Sequence, residues 1–194
     1  MKSSENNLLR IGDIVEQNAR KFKDRVALAY HEYGLENTFP EFRDICRQTA
    51  KGLMALGVKR GDHIAVWANN LPQWVYLQFG SAMAGAVMVT VNTNFRAYEL
   101  EYLLNQSDAT TLIMTKGIRE PDEYLRIVRQ VCPEVDNCLP GGLETENCLF
   151  SKTSSISEMM ILPECITGTI FLSWAKTSRA QNWMKELKAW IRTM

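Results

Sequence analysis

The sequence has no excess of charge of either sign. Its 194 residues contain 22 lysines and arginines and 22 aspartates and glutamates, so the formal net charge is zero. Proteins that bind nucleic acid need a basic surface, because much of their affinity comes from neutralising phosphates. The composition therefore predicts that nucleic acid is not a partner.

Histidine is scarce, and the cysteines are not arranged in pairs. The two histidines are His31 and His63, and none of the five cysteines belongs to a Cys-x-x-Cys motif. Zinc sites usually show such close ligand spacing, so we predict no metal site. Neither histidine has a serine or cysteine nucleophile at a recognisable spacing, and we interpret both as surface or edge residues. The cysteines are interpreted as free thiols of a reducing compartment.

The sequence also lacks the features of a membrane or secreted protein. The first seven residues are polar and do not resemble a secretory signal. The uncharged run at residues 165–175 offers about half of the roughly 20 residues that a spanning helix needs. We therefore expect a cytoplasmic protein with no membrane span.

What the sequence does contain is a regular alternation of strand and helix patterns at residues 59–114. Short apolar runs at 64–68, 87–91 and 110–114 predict strands, and the segments between them have helical spacing. Asn70 with Gln73 suggests a reciprocal helix cap, Pro72 suits a first helical turn, and Gly85 can end that helix. This alternation predicts an α/β fold with parallel strands joined by right-handed crossovers.

Further elements are predicted on both sides of this unit. Residues 11–22 and 39–56 have one apolar stripe each, and Thr38 with Glu41 forms a capping box before the second stripe. Residues 25–30 predict a strand, and residues 121–132 predict a helix that Pro133 ends. The composition, with 46% hydrophobic residues, is that of an ordinary globular protein.

Several short motifs occur in an order that resembles a known family. They are Gly57-Val58-Lys59-Arg60-Gly61-Asp62, residues 69–74, Gly85-Ala86, Val91-Asn92 and the long motif at residues 96–109. Together they resemble the N-terminal part of the AMP-forming acyl-CoA synthetases, and most closely the fatty-acyl-CoA synthetases. The resemblance spans about residues 8–142. It implies the first part of that family's N-terminal domain: a mostly parallel sheet flanked by helices.

The resemblance also implies a chemistry for the whole family. Its members use ATP, Mg²⁺ and CoA to convert a fatty acid into an acyl-adenylate and then an acyl-CoA. The phosphate loop with its lysine, the Mg²⁺-binding glutamate, the ribose-binding aspartate and the mobile C-terminal lysine all lie beyond the matching region. No equivalent run occurs in this sequence. We therefore assign no catalytic, cofactor-binding or metal residue, and expect no cofactor for this chain.

Four other features have a functional and a structural interpretation. Gly80 and Gly85 have phosphate-loop spacing, but an apolar helical context favours close helix packing. Residues 69–72 follow a strand, where open α/β sheets often bind ligands, but capping alone would explain them. Residues 152–155 are interpreted as a solvated loop because they contain no glycine. The fourth feature is a set of aromatic residues that could line an acyl pocket but are more typical of a core: Trp67, Trp74 and Tyr76.

The predicted organisation is a partial AMP-dependent synthetase/ligase N-terminal domain at residues 8–142 and a divergent tail at 143–194. The tail is expected to be irregular, poorly ordered or loosely helical. The sequence favours a truncated relative of a fatty-acyl-CoA synthetase that is not catalytic alone. The alternatives are a working subunit of a split synthetase and a non-catalytic partner-binding module. The missing remainder of a synthetase is the expected partner, and its absence should leave apolar surface and unpaired strand edges exposed.

Overall fold

A computed structural model of the chain describes residues 9–136 and 158–161. The helices in these residues are α1 (Ile11–Lys21), α2 (Phe39–Ala55), α3 (Pro72–Ala84), α4 (Ala97–Gln106) and α5 (Glu123–Val131). The strands are β1 (Val26–Tyr30), β2 (Leu35–Thr38), β3 (His63–Trp67), β4 (Val87–Thr90), β5 (Ala109–Met114) and β6 (Glu158–Ile161). Two short 3-10 turns, His31–Tyr33 and Pro133–Asp136, complete the described structure.

The main sheet has four strands in the order β4-β3-β5-β6, and each neighbouring pair is parallel. The three parallel strands predicted from the sequence are confirmed, with bounds that differ by about one residue. Helices α3 and α4 form the crossovers between them, which gives the predicted α/β fold. The sequence did not predict β6, which lies within the predicted tail. The rest of that tail, residues 143–157 and 162–194, is outside the described residues, and the division at residue 142 stays a prediction.

Alternate residues of β3 point to two different helical layers. Ile64 and Val66 are buried in a core shared with α2 and α3, together with Leu53 and Leu77. Trp67 lies in a second core on the opposite face, which α4 and α5 cover; its other members include Ala65, Leu100, Leu104, Tyr124 and Val128. Because β3 is covered on both faces, its run of apolar residues is continuous rather than alternating.

The predicted start and end signals of the helices are mostly confirmed. Before α2, the backbone N–H of Thr38 donates to Glu41 Oε2 at 2.8 Å, and Thr38 Oγ1 accepts from the Glu41 N–H at 3.5 Å. This is the reciprocal capping box that the sequence predicts. Gly85 ends α3 with φ of 81°, a left-handed conformation that favours glycine. Tyr124, Val128 and Val131 form the buried side of α5, as their spacing indicates.

The N-terminal segment packs on the outside of the α2 and α3 layer. Strands β1 and β2 pair as an antiparallel hairpin, of which the sequence predicts only the first strand. The predicted helix α1 is confirmed, and Val15 and Ala19 are buried. Ile11 and Ile14, which belong to the same apolar stripe, are 52% and 42% exposed. Gly12 in the first turn faces the Met83 side chain of α3, so the first turn also packs on the α2 and α3 layer.

Within residues 9–136 and 158–161, no helix has both the length and the hydropathy needed to cross a lipid bilayer.

Candidate functional site

The carboxyl ends of β3 and β5 are the place where the topology favours a ligand site. The connection after β3 leads through α3 to β4, towards one edge of the sheet. The connection after β5 leads through α5 towards β6, in the direction of the opposite edge. Neighbouring parallel strands whose connections leave in opposite directions have a crevice between their carboxyl ends. Here the crevice is bordered by residues 68–71 and 115–122.

The first border of the crevice differs from the sequence prediction. Helix α3 begins at Pro72 with Leu71 as its N-cap residue, and no side chain caps it. The predicted cap by Asn70 is therefore wrong, because the chain stays extended one residue longer and the buried Leu71 occupies the cap position. Asn69 Oδ1 is buried and has no hydrogen-bond partner among the described residues. Capping thus does not account for the asparagines of this loop.

Two stacked aromatic rings lie beneath the loops that follow the strands. The rings of Trp67 and Tyr124 are 4.0 Å apart at their centroids and 14° from parallel. The Trp67 indole N–H donates to Asn92 O at 3.1 Å, and the Tyr124 hydroxyl donates to Thr93 O at 3.3 Å. These two hydrogen bonds therefore hold the loop after β4 in place. Trp67 is fully buried, which confirms its interpretation as a core residue.

The ionisation of Tyr124 agrees with this structural role. Burial, with a smaller contribution from the negative charge of Glu123, raises the pKa of Tyr124 to about 12. The hydroxyl is therefore neutral at physiological pH and acts as a hydrogen-bond donor. A general base would need a pKa near the working pH, so this tyrosine is not suited to that role.

An open pocket of about 390 Å³ lies beside these loops, at the start of α4 and along α5. Its lining is mostly charged: Arg96, Arg119, Glu120, Glu123, Arg126, Ile127 and Gln130. Glu123 Oε1 lies 3.4 Å from Arg96 Nη1 and 3.7 Å from Arg119 Nη1. Arg126 forms an ion pair with Glu120. The pocket therefore presents three guanidinium groups, each of which already faces a carboxylate, with Arg96 and Arg119 sharing Glu123.

This pocket was not predicted from the sequence. One signal was available, because Arg119 and Glu123 are four residues apart and pair across the start of α5. The longer-range pair of Arg96 with Glu123 joins the beginnings of α4 and α5, and no local pattern indicates that contact.

The described residues do not fit an ATP phosphate site. Such a site needs backbone N–H groups of a glycine-rich loop and an available lysine, whereas the loops after β3 and β5 contain a single glycine, Gly117. A Cβ at Gly117 would lie 2.4 Å from Glu120 O, so this glycine permits a tight turn rather than a phosphate cradle. The arginines of the pocket, which already face carboxylates, would have to release them first. No step of adenylation can be derived from these residues.

The glycines with phosphate-loop spacing have a structural role. Gly80 lies inside α3 against α2, where a Cβ would be 2.7 Å from Thr49 Cβ. Gly85 ends the same helix. The interpretation as close helix packing is confirmed for Gly80.

The remaining reactive side chains are separate from one another. His63 Nδ1 contacts Ser107 O at the amino end of β3, away from the crevice, and His31 is exposed beside the β1–β2 turn. Burial raises the pKa of the Cys46 thiol in α2 to about 12, so it remains protonated and is a poor nucleophile. In the part of the chain that the structure describes, no group of three or more His, Cys, Asp or Glu residues could hold a metal ion.

Comparison with known proteins identifies the family. The family model described as AMP-binding enzyme matches residues 15–164, and thus continues past the predicted boundary at residue 142. YngI of Bacillus subtilis (strain 168), which is named as an acyl-CoA synthetase, is 46% identical over 143 residues, covering 74% of this chain and 26% of YngI. The mitochondrial medium-chain acyl-CoA ligase ACSF2 of Homo sapiens is 32% identical over 166 residues, covering 86% of this chain and 26% of the ligase.

A solved structure supports the same fold. The fatty acyl CoA synthetase of Mycobacterium tuberculosis superposes with a TM-score of 0.63 at 20% identity, covering 79% of this chain and 26% of that chain. The chain therefore spans about a quarter of the length of the relatives it matches. Since the family model takes in most of the sequence, this protein belongs to the AMP-binding enzyme family and is a relative of the acyl-CoA synthetases.

Proposed function

We propose that this chain supplies the first part of the N-terminal α/β scaffold of a fatty-acyl-CoA synthetase and does not form an acyl-adenylate by itself. The observation that carries the proposal is the combination of a confirmed family fold with loops that lack a phosphate site. The family match and the quarter-length coverage of the relatives support the first half. The pairing of the pocket arginines with carboxylates and the single glycine in the crevice loops support the second half.

The chemistry explains why these missing groups matter. In adenylation, a fatty-acid carboxylate oxygen bonds to the α-phosphorus of ATP while the bond to pyrophosphate breaks. In the second step, the CoA sulfur bonds to the acyl carbon and AMP leaves. The first step brings anions together, so preorganised cations and N–H donors must stabilise the developing charge. Loss of one such donor typically lowers the rate by about 10²–10³, and the described loops after β3 and β5 do not form a glycine-rich phosphate cradle.

The test is fatty-acid-dependent exchange of pyrophosphate into ATP, with short, medium and long fatty acids. We expect the purified chain to equal its heat-inactivated control, while full-length YngI under the same conditions serves as a positive control for the assay. Acid-dependent exchange above the inactivated control would contradict the proposal. It would show that the chain contains a phosphate site outside the described residues.

A working subunit of a split synthetase is the second candidate, and the quarter-length coverage favours it. The remainder of YngI, expressed as a separate polypeptide, is the natural complement because YngI is 46% identical to this chain in the matched region. If the two polypeptides together catalyse exchange that neither catalyses alone, the chain is a functional subunit. If they do not associate, the non-catalytic proposal stands.

We further propose that the chain binds no cofactor and resides in the cytoplasm. The absence of a phosphate cradle in the crevice loops supports the first statement. The described cysteine Cys46 is a free thiol, which suits a reducing compartment. A thermal shift caused by ATP with Mg²⁺ or by CoA would contradict the first statement, and organellar fluorescence of a tagged chain would contradict the second.

A further inference from the structure

Strand β4 forms an open edge of the main sheet in the described structure. Its neighbour on one side is β3, and no described strand lies on its other side. Val87 is 47% exposed and Thr90 is also exposed, whereas the central strand β3 is buried from Ile64 onwards. The edge is therefore both apolar and accessible among the residues that the structure describes.

The backbone geometry shows which groups this edge presents. The N–H of Val87 donates to Asp62 O at 2.8 Å, and the N–H of Val91 donates to Val66 O at 3.0 Å, so these residues are directed towards β3. Backbone groups of successive strand residues alternate in direction. Met88 and Thr90 therefore direct their N–H and C=O groups to the outer side, where a further strand could pair with them.

The edge lacks the charged residues, the proline and the β-bulge that often prevent pairing. Natural edge strands are commonly protected by lysine, proline or a β-bulge. Residues 85–95 contain no charged residue and no proline, and β4 pairs with β3 without a register shift. Three of the four residues of β4 are Val or Thr, types that are favoured in cross-strand pairs.

We propose that β4 is a self-association edge, and that its occupant is the β4 strand of a second copy of this chain. An antiparallel arrangement with its two-fold axis at Val89 places Met88 of one copy opposite Thr90 of the other. Both residues present outward N–H and C=O groups, so each such pair exchanges two hydrogen bonds. The side chains of the two Val89 residues then meet at the axis.

The absence of charge permits this partner. In a two-fold interface every residue faces the same surface on the other copy, so a charged edge would meet its own charge. The uncharged stretch of residues 85–95 has no such repulsion. An interface built on one four-residue strand belongs to the small, transient class, below about 1,200 Å². The association should therefore depend on concentration.

Sedimentation velocity of the full 194-residue chain tests the proposal from low micromolar to several hundred micromolar concentration. The mass should rise from that of one copy, 22.2 kDa, towards twice that value. Thr90→Pro removes one outward N–H from each copy without removing a bond to β3, and Val87→Lys adds a charge at the exposed edge. Each variant should weaken dimer formation about tenfold or more, since two hydrogen bonds are lost or a charge is buried.

Ile118→Lys is the matched control, because Ile118 is 54% exposed in the loop after β5 and is not part of the edge. It should leave the dimer unchanged. Amide hydrogen exchange gives an independent measurement: the Met88 and Thr90 amides should gain protection with concentration. Circular dichroism shows whether Thr90→Pro is folded, and if it is not, Val87→Lys and amide exchange decide. A single-copy mass throughout, association insensitive to Val87→Lys, or unprotected outer amides in the associated form would each overturn the proposal.

Discussion

The two helical layers of this protein cover the same sheet by different means. On one face, α2 and α3 approach each other closely because Gly80 has no side chain, and a Cβ there would lie 2.7 Å from Thr49. On the other face, α5 is joined to β3 through the stacked rings of Trp67 and Tyr124. One layer thus packs closely because a side chain is absent, whereas the other packs through two of the largest side chains.

Because of this difference, we expect one layer to be destabilised by larger side chains and the other by smaller ones. A close helix contact has no space for added atoms, so enlarging Gly80 should harm the α2 and α3 layer. A core filled by large rings has no neighbours that can replace them, so truncation should harm the α4 and α5 layer. Both effects follow from the close packing of protein interiors.

The largest expected effect is in the aromatic layer. Trp67→Ala should lower the free energy of unfolding by about 3–5 kcal/mol, because it leaves a cavity and removes the indole bond to Asn92. Urea unfolding followed by circular dichroism measures the change. Tyr98→Ala is the control, since Tyr98 is 78% exposed on α4 and should change stability by about 0.5 kcal/mol or less. Equal effects of the two variants would contradict the comparison.

The second prediction concerns the glycine contact. Gly80→Ala should lower the free energy of unfolding by about 1–3 kcal/mol, because the new methyl group overlaps Thr49. Gly12→Ala in α1 is the matched control, because its Cβ would approach the flexible Met83 side chain at 3.2 Å. There the gain in helix propensity should offset the contact. Thermal unfolding of both variants measures the difference, and a harmless Gly80→Ala would show that the layers are not distinct.

A smaller effect is expected at the start of α2. Thr38→Ala removes the hydroxyl that accepts from the Glu41 N–H, and should cost about 1 kcal/mol. Thr38→Ser keeps a hydroxyl at the same place and should restore most of the loss. Chemical unfolding of the three proteins measures these differences. If serine and alanine are equivalent, the loss comes from the methyl group rather than from the cap.

The smallest effect is a pH dependence of the same cap. The backbone N–H and then the hydroxyl of Thr38 hold the pKa of Glu41 below its ordinary value of 4.5. A carboxylate with a lowered pKa contributes stability that is fully present above its unfolded value and is lost as pH falls through the folded value. The stability advantage of the wild type over Glu41→Gln should therefore shrink as the pH falls below 4.5, the ordinary pKa of the Glu41 carboxyl. An advantage that grows with acidity would have the wrong sign.

Local signals predicted those elements whose ends depend on neighbouring residues. The capping box of Thr38 and Glu41, the left-handed Gly85 and the apolar strands each follow from chemistry within a few residues. These signals located α1 to α5 and the three parallel strands. They also allowed the family to be identified, because their order and spacing match the acyl-CoA synthetases.

The wrong and missing predictions have a common cause in long-range contacts. Asn70 has the residue type and spacing of a cap, but the burial of Leu71 moves the helix start. Strand β2 contains Asn37, a poor strand former. Its Oδ1 accepts a hydrogen bond from the Tyr76 hydroxyl at 2.5 Å. Strand β6 lies in a region without periodicity and is defined by its pairing with β5.

The sequence by itself determined the alternation of helices and strands, because that alternation is a property of neighbouring residues. Tertiary structure decided which strand is central, which edge is open and which side chains meet in the pocket. Glu123 illustrates the reason: its pairing with Arg119 joins residues four apart in the chain, but its pairing with Arg96 depends on how α4 and α5 are placed on the sheet. Contacts between residues far apart in the chain have no local signature, and only packing brings them together.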